Sequence, residues 1–374
     1  MASFAFGICT NFTCTTSTSS STILPLHTNP ICRLSFKNSV VNSATNSFCF
    51  SLCSQKALAR EIVQLQRVLA MAVNVEKAPE RYAVVTGANK GIGFETVKQL
   101  ANSGVTVVLT ARNEKRGMEA TSLLNEQGFP NVVFHQLDVL DAQSIESLAK
   151  FIQTQYGRLD ILVNNAGASG VVVDEDVLRA LNIDPEDWLA GKAVNAIQVA
   201  MKTTYESAKL CLDTNYYGVK NVTEALLPLL RNSSSARIVN VSSLRSELKR
   251  VPNEERRKEL GDIENLTEDK LDKILQKFLH DLKQDALEVN GWQMMLPAYS
   301  ISKVSLNAYT RILARRYPKM CSNCVHPGYV NTDINWHTGT MPVEEGAEGP
   351  VMLALLPDGG PSGCYFDRTV VAEF

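Results

Sequence analysis

A tyrosine and a lysine stand four positions apart in this chain, at Tyr299 and Lys303. Residues with this spacing share one face of a helix. A phenol titrates at about pH 10, but a nearby ammonium stabilises the phenolate and lowers the pKa of the phenol toward neutrality. Together the two side chains could therefore transfer a proton to or from a substrate oxygen. The same spacing also arises by chance between surface residues, so the pair becomes informative only beside other motifs.

A second motif lies at residues 83–95, where three glycines separate a short apolar run from an amphipathic run that starts at Phe94. The apolar run predicts a strand and the amphipathic run a helix. Gly87 would permit a tight turn, while Gly91 and Gly93 would let the backbone approach a phosphate and a neighbouring strand. The N-terminus of the helix would present free N–H groups to an anion. The motif predicts binding of a dinucleotide pyrophosphate, and a purely structural turn is the alternative.

The elements that would position these motifs alternate along the chain from Arg81. Strands are predicted at Val84–Val85, Val105–Thr110, Val132–Leu137, Leu159–Asn164, Ile238–Val241 and Cys324–His326. Helices are predicted at Phe94–Ser103, in a stretch that ends near Glu126, and at Gln143–Tyr156. This alternation predicts an α/β fold, a Rossmann-type doubly wound parallel sheet with helices on both faces.

Residues 246–297 interrupt the alternation with a highly charged segment that leads into Tyr299. After a candidate N-cap at Thr267, apolar residues recur at helical spacing: Leu271, Ile274, Leu275, Phe278, Leu279 and Leu282. We interpret the segment as a helical insertion before the tyrosine motif, and we expect part of it to form a lid or wall over the substrate. The alternative is that the helix is only a cover and that flanking residues make the substrate contacts, such as Met294, Met295 and Leu296.

Composition and charge exclude several classes of protein. The chain has 374 residues, of which 45% are hydrophobic and 20% charged, as in ordinary globular enzymes. The net charge of −2 gives no general attraction to nucleic acid or anionic membrane. No apolar stretch reaches the roughly 18 residues of a transmembrane helix. We therefore expect neither a nucleic-acid nor a membrane partner.

The nine cysteines do not form a recognisable disulfide or metal framework. Five of them lie in the atypical N-terminus, and the pair Cys321 and Cys324 has no second pair nearby. The histidines His135, His280 and His337 have no ligand partners at metal-binding spacing. We predict no metal site and a reducing compartment.

Residues 1–60 contain no Asp or Glu and are rich in Ser, Thr and Asn. Such a composition cannot build a core, and it is typical of transit peptides. We predict that residues 1–75 are a disordered extension or transit peptide and that residues 78–374 form the dinucleotide-binding domain. A transit peptide would direct the protein to plastids, whereas translation from Met71 would leave it in the cytoplasm. The sequence favours neither location.

Taken in order, the motifs resemble those of the short-chain dehydrogenase/reductase family from about Ala78 to the last residue. They are Thr86–Gly93, Asp138, Asn164–Gly167, Asn215, Ser243, Tyr299, Lys303, His326–Gly328 and Thr332. The Asn-Lys pair in the glycine loop and the insertion before Tyr299 resemble the carbonyl-reductase branch, which includes plant salutaridine and neomenthol-type reductases. The resemblance implies an NADPH-dependent carbonyl reductase for a small ketone or alcohol, active as a monomer.

The resemblance also assigns catalytic roles. Tyr299 would protonate the carbonyl oxygen as hydride arrives, and Lys303 would lower the pKa of Tyr299 and bind the nicotinamide ribose. Ser243 would hold the substrate oxygen. Its rival is Ser242, but the family uses the second serine of the run, and strand alternation lets only one face the site. Asn215 would hold a water that relays protons to Lys303, or else it is a helix residue bonded to its own backbone.

The end of the second predicted strand bears on the choice of cofactor. It reads Thr110-Ala111-Arg112, without the acid that binds the ribose 2′-hydroxyl in NAD-dependent proteins. Arg112 suits a 2′-phosphate, and Lys90 adds a second cation, so we predict NADP(H). The alternative is that Arg112 is a solvated surface residue.

The resemblance places the other cofactor contacts along the whole chain. They are Gly87, Asn89, Gly91, Ile92 and Gly93 in the glycine loop, Asp138 and Val139 beside the adenine, Asn165, Ala166 and Gly167 near the adenosine ribose, and Pro327, Gly328, Val330 and Thr332 on the nicotinamide side, together with Tyr299 and Lys303.

Two functional classes remain open. One is an enzyme that reduces ketones, and the other is a non-catalytic protein that binds NADP(H) and senses its redox state. The complete set of Asn215, Ser243, Tyr299 and Lys303 favours the enzyme, because a sensor needs no acid. The substrate is not specified. We expect its pocket walls to come from the insertion and from the stretch after Pro327, and we expect the three tryptophans to be core or wall residues: Trp188, Trp292 and Trp336.

Overall fold

The computed structural model describes residues 80–292 and 294–374. The predicted extension at residues 1–75 lies outside this part of the chain, so the expectations about it remain predictions. None of the described helices is both long and apolar enough to cross a membrane.

A twisted eight-stranded sheet forms the centre of the domain. In chain order the strands are β1 Tyr82–Val85, β2 Thr106–Ala111, β3 Val132–Gln136, β4 Ile161–Asn164, β5 Val172–Val173, β6 Met201–Lys202, β7 Arg237–Val241, β8 Cys321–His326, β9 Tyr365–Asp367 and β10 Val370–Ala372. The sheet order is β3-β2-β1-β4-β7-β8-β9-β10, and β5 and β6 form a separate ribbon. Neighbours from β3 to β9 are parallel, and β10 is antiparallel to β9.

The order of strands reverses between β1 and β4, which pair in parallel with Val85 opposite Val163. In a doubly wound sheet, ligands bind outside the carboxyl ends of the strands at such a reversal. The glycine loop follows β1 at this point, and Asn165 follows β4. The topology thus brings together two motifs that are far apart in sequence.

Helices cover both faces of the sheet. They are α1 Gly91–Asn102, α2 Glu114–Glu126, α3 Ala142–Gln155, α4 Glu175–Ala180, α5 Pro185–Ala190, α6 Val194–Ile197, α7 Tyr205–Leu212, α8 Val219–Arg231, α9 Glu254–Gly261, α10 Glu268–Lys283, α11 Pro297–Arg316 and α12 Val343–Ala354. Alternate strand residues face opposite sides, so Val84 belongs to one core cluster and Val85 to another. The predicted Rossmann-type sheet with helices on both faces is confirmed.

The insertion contains two helices, α9 and α10, rather than the one that the sequence indicated. The side chains of Leu271, Ile274, Leu275 and Phe278 are fully buried in the larger core cluster. The Thr267 hydroxyl accepts a hydrogen bond from the Lys270 backbone N–H and so caps α10 as predicted. This helix packs against α7 and α11, the helix that begins just before Tyr299.

Residues 171–201, which we call the cap segment, contain the short elements from β5 to β6 that the sequence pattern did not reveal. Their apolar residues form a third core cluster that includes Leu178, Trp188 and Ile197. Tyr329 and Trp336, from the stretch after β8, pack against this cluster. Helices of four to six residues are too short to show a helical period, and therefore periodicity could not predict them.

Candidate active site

A cavity of about 520 Å³ opens at the carboxyl ends of the central strands. It is lined by the glycine loop and by the segments that follow β4, β7 and β8. Every residue that the sequence analysis assigned to the cofactor or to catalysis lines this cavity, with the exception of Asn215. The fold therefore brings the predicted cofactor residues and the catalytic residues into one site.

The glycine loop packs tightly against the loop that follows β4. Gly87 has φ +61, and a Cβ there would lie 2.9 Å from the Cα of Ala166. A Cβ at Gly93 would lie 2.4 Å from the Asn165 Nδ2. Neither position can carry a side chain without moving the neighbouring loop, which explains the two glycines.

Hydrogen bonds from Thr86 and Asn165 hold these loops together. The Thr86 hydroxyl accepts hydrogen bonds from the backbone N–H of Asn165 at 2.9 Å and of Ala166 at 3.0 Å. In return the Asn165 amide donates to the carbonyl oxygens of Thr86 at 2.9 Å and Gly87 at 3.0 Å. The sequence analysis quoted Thr86 in a motif but gave it no role. Its role depends on residues nearly eighty positions away, which a sequence pattern does not show.

The N-terminus of α1 is left open toward the cavity. Its N-cap residue, Lys90, makes no capping hydrogen bond with its side chain, and the first turn contains no acidic residue. By contrast, the next two helices are capped by the side chains of Asn113 and Asp141. The first-turn N–H groups of α1 and the positive end of its dipole are therefore available to an anion.

The two cations predicted to bind a 2′-phosphate differ in their surroundings. Arg112, at the end of β2, is exposed at the cavity and forms no ion pair with the described residues. Lys90 forms an ion pair with Asp333, a residue of the short turn after Thr332. The hydrogen bond from Lys90, and then its positive charge, hold the pKa of Asp333 below its usual value. A phosphate would thus find Arg112 free, but it would compete with Asp333 for Lys90.

The tyrosine and lysine predicted to be catalytic, Tyr299 and Lys303, lie in the first two turns of α11. Lys303 is 3% exposed, and its Nζ donates a hydrogen bond to the Val241 carbonyl oxygen at 2.7 Å. The same Nζ lies 5.7 Å from the centre of the Tyr299 ring. Val241 is the last residue of β7, and Ser243 lies two residues later. The Lys303 hydrogen bond therefore connects α11, which contains Tyr299, to the strand that leads into Ser243.

The two candidate serines differ in what their hydroxyls bind. Ser242 is buried, and its hydroxyl donates to the Asn307 Oδ1 at 2.5 Å. Ser243 is partly exposed in the cavity, which Tyr299 also lines, and it acts to lower the pKa of the Tyr299 phenol. The geometry therefore favours Ser243 as the serine that meets a substrate.

Burial sets the ionisation of Tyr299 and Lys303. It raises the pKa of Tyr299 to about 12, against the opposing effects of the Ser243 hydrogen bond and the positive charge of Arg245. It lowers the pKa of Lys303 to about 8. At neutral pH the phenol therefore retains its proton and can act as an acid, and the lysine remains charged. The effect of Arg245 on the phenol was missed by the sequence analysis.

Asn215 lies in a π-helical segment, Asp213–Gly218, between α7 and α8. Its Oδ1 accepts a hydrogen bond from the Ala168 N–H at 2.8 Å, and its Nδ2 donates to the Ala168 carbonyl at 3.0 Å and to the Ser302 hydroxyl at 3.0 Å. The side chain thus binds a neighbouring loop, α11 and the Cys211 thiol one turn earlier at 3.2 Å, rather than the backbone of its own helix. π-helical turns within α-helices are frequent at functional sites. That Asn215 holds a relay water stays a prediction.

An apolar wall closes the side of the cavity next to Tyr299. It consists of Trp188, Leu189, Leu210, Leu244, Leu296, Tyr329, Ile334 and Trp336. Among the described residues of the insertion, Leu296 alone reaches the cavity. Neither helix of the insertion lines the cavity, and of the three flanking residues named in the alternative Leu296 lines it whereas Met294 and Met295 do not. A lid role for the insertion stays a prediction. The cap segment supplies Trp188 and Leu189 to the wall, and the expected stretch after Pro327 supplies Tyr329, Ile334 and Trp336.

The tryptophans follow the expected division between core and wall. Trp188 and Trp336 line the cavity, and Trp292 is buried, with its Nε1 donating to Asp281 at 2.8 Å. Over residues 80–292 and 294–374, no group of three or more His, Cys, Asp or Glu side chains could hold a metal ion.

Comparisons with known proteins agree with this geometry. The sequence model of the short chain dehydrogenase family matches residues 81–254. The chain is 49% identical to (+)-neomenthol dehydrogenase of Arabidopsis thaliana, with 80% of this chain and 99% of that protein covered. It is 40% identical to Carbonyl reductase [NADPH] 3 of Mus musculus, with 74% and 91% covered. The structure of salutaridine reductase from Papaver somniferum superposes with a TM-score of 0.73 at 49% identity, over 77% of this chain and 99% of that one.

These findings confirm the family and the enzyme class that the motifs indicated. The chain is an NADP-dependent oxidoreductase that acts on CH–OH or C=O groups. It belongs to the short-chain dehydrogenase/reductase family.

Proposed function

We propose that this protein is a carbonyl reductase that transfers a hydride from NADPH to the ketone of a small hydrophobic substrate, with Tyr299 as the general acid. One observation carries the proposal: Ser243, Tyr299 and Lys303 line the same cavity as the glycine loop. The hydride is supplied by NADPH when it is bound. The residues of this chain would orient the ketone and deliver the proton.

The residues at the cavity fit NADP(H). The glycine loop lines the cavity, and the open N-terminus of α1 would bind the charge of a pyrophosphate there. Arg112 is free to bind a 2′-phosphate with two parallel hydrogen bonds. No acidic side chain stands at the end of β2 to accept a 2′-hydroxyl. These features support NADP(H) over NAD(H).

The proton would move from Tyr299 to the carbonyl oxygen of the substrate. Its raised pKa keeps the phenol protonated until negative charge develops on that oxygen. The Ser243 hydroxyl would donate a second hydrogen bond to the same oxygen and fix its position. Lys303, held by the Val241 carbonyl, would stabilise the phenolate that remains and bind the nicotinamide ribose. Asn215 would relay the replacement proton through a water.

The substrate class is proposed from the wall of the cavity and from the relatives. The wall beside Tyr299 is apolar and aromatic, so a compact hydrophobic ketone would fit it. Two relatives are named for a neomenthol and a salutaridine substrate. A terpenoid or alkaloid ketone is therefore the class that we propose for this chain.

The test is a fall in NADPH absorbance when ketones are added to the purified protein. A panel of monoterpenoid ketones, alkaloid ketones and quinones should include at least one that is reduced with NADPH and much more slowly with NADH. If the protein binds NADPH but reduces none of them, the alternative of a non-catalytic NADP(H) sensor replaces the proposal.

We also propose that residues 78–374 carry the whole activity. A chain that begins at Met71 should fold and reduce the ketone as fast as the full chain, and loss of folding would contradict this. Import of a tagged full-length chain into isolated plastids would assign residues 1–75 as a transit peptide. Retention outside the plastids would place the enzyme in the cytoplasm.

A further inference from the structure

Arg245 is a buried cation in the cavity wall, two residues after Ser243. Its side chain is 7% exposed, and it belongs to the short turn Leu244–Ser246. The guanidinium lines the same cavity as Tyr299 and lies within range of the Tyr299 and Tyr329 phenols. No step of the proposed reaction uses it to contact the substrate.

The hydrogen-bonding capacity of this guanidinium is mostly unused. It carries five N–H donors, and within residues 80–292 and 294–374 its side chain donates only to the Trp188 carbonyl oxygen. No carboxylate in that part of the chain forms an ion pair with it. The nearby Glu247 carboxylate is instead bound by Arg250 at 2.8 Å and by Lys249 at 3.1 Å.

None of the Arg245 nitrogens is among the fully buried polar atoms without a partner in the described residues, so its unused donors are accessible from the cavity and are open to a ligand. Burial and the neighbouring Arg250 lower the pKa of Arg245 to about 10, which still leaves it charged at neutral pH. The wall around it is apolar, with Trp188, Leu244 and Leu296 beside the cavity. A ligand with an oxygen acceptor would provide the missing partner, and a carboxylate matches the fork of donors best.

We propose that Arg245 is a specificity-determining residue that binds a second oxygen acceptor of the substrate, preferentially a carboxylate, while Tyr299 and Ser243 hold the reacting carbonyl. The preferred substrate class is then a cyclic ketone with an acidic or oxygenated substituent rather than a plain hydrocarbon ketone. This inference rests on the proposed function only for the identity of the reacting group.

The test compares ketones that differ in one substituent. The probes are 3- and 4-oxocyclohexanecarboxylate and the neutral 3- and 4-methylcyclohexanone, measured as dissociation constants with the NADP⁺-loaded enzyme and as kcat/KM with NADPH. The parent should bind and reduce at least one carboxylate better than its methyl analogue by about tenfold to a hundredfold, as for a charge-assisted hydrogen bond. Arg245→Gln should abolish that preference.

Two further variants separate a binding role from a structural one. Arg250→Gln is the matched control, because Arg250 donates to the Leu189 carbonyl at 3.1 Å, also in the cap segment, but does not line the cavity. If the arginines only fasten the cap segment, both variants should weaken neutral and acidic ligands alike. We expect Arg250→Gln to leave the preference intact. Arg245→Lys, which keeps the charge and loses the fork, should retain part of it.

Failure of the Arg245 inference can be distinguished from failure of the proposed reaction. A parent enzyme without preference for either carboxylate would overturn the inference, as would an Arg245→Gln variant that loses both ligand types equally. Dissociation constants do not require turnover. If carboxylates bind in an Arg245-dependent manner but no ketone is reduced, the proposed reaction fails and the binding role of Arg245 stands.

Discussion

The chemistry at Tyr299 depends on which groups surround the phenol. The spacing to Lys303 suggests that the lysine acts on it directly. In the structure the lysine is bound to the Val241 carbonyl, while burial raises the pKa of the phenol and Ser243 and Arg245 act to lower it. The phenol is therefore influenced from two sides, by α11 and by the turn after β7.

Replacement of Tyr299 by phenylalanine tests the acid. Tyr299→Phe keeps the ring and its packing but removes the proton donor, so kcat should fall by about 10²–10⁴-fold, as is typical of acid–base catalysis. NADPH binding, measured by fluorescence titration, should change little. Turnover within tenfold of the parent would exclude Tyr299 as the general acid.

Arg112 allows a second test, on the choice of cofactor. Arg112→Ala should weaken NADPH binding by roughly tenfold to a hundredfold, because a charge-assisted contact to the 2′-phosphate is lost. NADH binding should be nearly unaffected. The matched control is Arg116→Ala, an exposed arginine one helical turn further along that does not line the cavity. An equal loss for both cofactors, or a parent that prefers NADH, would refute the prediction.

Local spacing revealed the residues that act through near neighbours and missed those whose partners are distant. The glycine loop and the Tyr299–Lys303 pair are recognisable because the residues of each motif lie within a few positions of one another in the sequence. Thr86 binds the backbone at Asn165, and Arg245 binds the carbonyl of Trp188. Only the folded chain shows such partners, so these two roles could not be predicted.

Among the elements, the alternation of strands and helices was sufficient to predict the sheet. Six of its strands lie within two or three residues of the predicted positions. The signal is clearest for β1, β2 and β4, which are mostly apolar runs buried along nearly their whole length. The last strands, β9 and β10, are only three residues long and show no alternation. The cap segment was missed for the same reason, although it forms the wall of the cavity.

The cap segment gives rise to a prediction on specificity. Exchange of residues 171–201 with the equivalent segment of a related reductase should change the ranking of ketones by kcat/KM, because Trp188 and Leu189 line the cavity. Exchange of α9 and α10 should leave the ranking unchanged, because neither helix lines the cavity. A ranking that moved only with α9 and α10 would contradict the assignment of the wall.

The docking of α10 depends on a half-buried ion cluster at its N-terminus. The Glu268 carboxylate binds Lys220 at 2.8 Å and Arg316 at 2.6 Å. Burial alone would raise the pKa of Glu268, but hydrogen bonds and charge from the two cations outweigh it and hold the pKa below 4.5. A carboxyl group with a depressed pKa contributes stability above its unfolded-state value, and this contribution is lost as the pH falls.

Glu268→Gln should therefore lower the free energy of unfolding by about 1–3 kcal/mol at neutral pH, as expected when a partly buried pair loses one charge. The difference from the parent should begin to shrink below about pH 4.5, where the carboxyl of the unfolded parent becomes protonated, and should vanish once the pH falls below the depressed pKa of the folded state. Denaturant unfolding at several pH values measures both effects. Glu146→Gln, at an exposed pair with Lys150 on α3, is the control and should leave the free energy of unfolding nearly unchanged. A pH-independent difference would contradict the role of the charge.

At the scale of the whole molecule, the insertion joins the main core. Most of its buried residues belong to the same apolar cluster as α7, α8 and α11, the helices that flank Asn215 and carry Tyr299. Without the insertion, the apolar surface of α7, α8 and α11 would be exposed and could pair with a second copy of the chain. Because α10 covers this surface, it is not available for association.

We therefore propose that the enzyme is a monomer, and light scattering at micromolar concentration should give the mass of a single chain, 41.1 kDa for the full sequence. The physical reason is that Leu271, Ile274 and Phe278 already bury the helix face on which an obligate dimer would depend. Since the cover is held partly by Glu268, Glu268→Gln should self-associate under mild denaturant before the parent does, while Glu146→Gln behaves as the parent. A stable dimer of the parent chain at that concentration would show that another surface drives assembly and would refute the proposal.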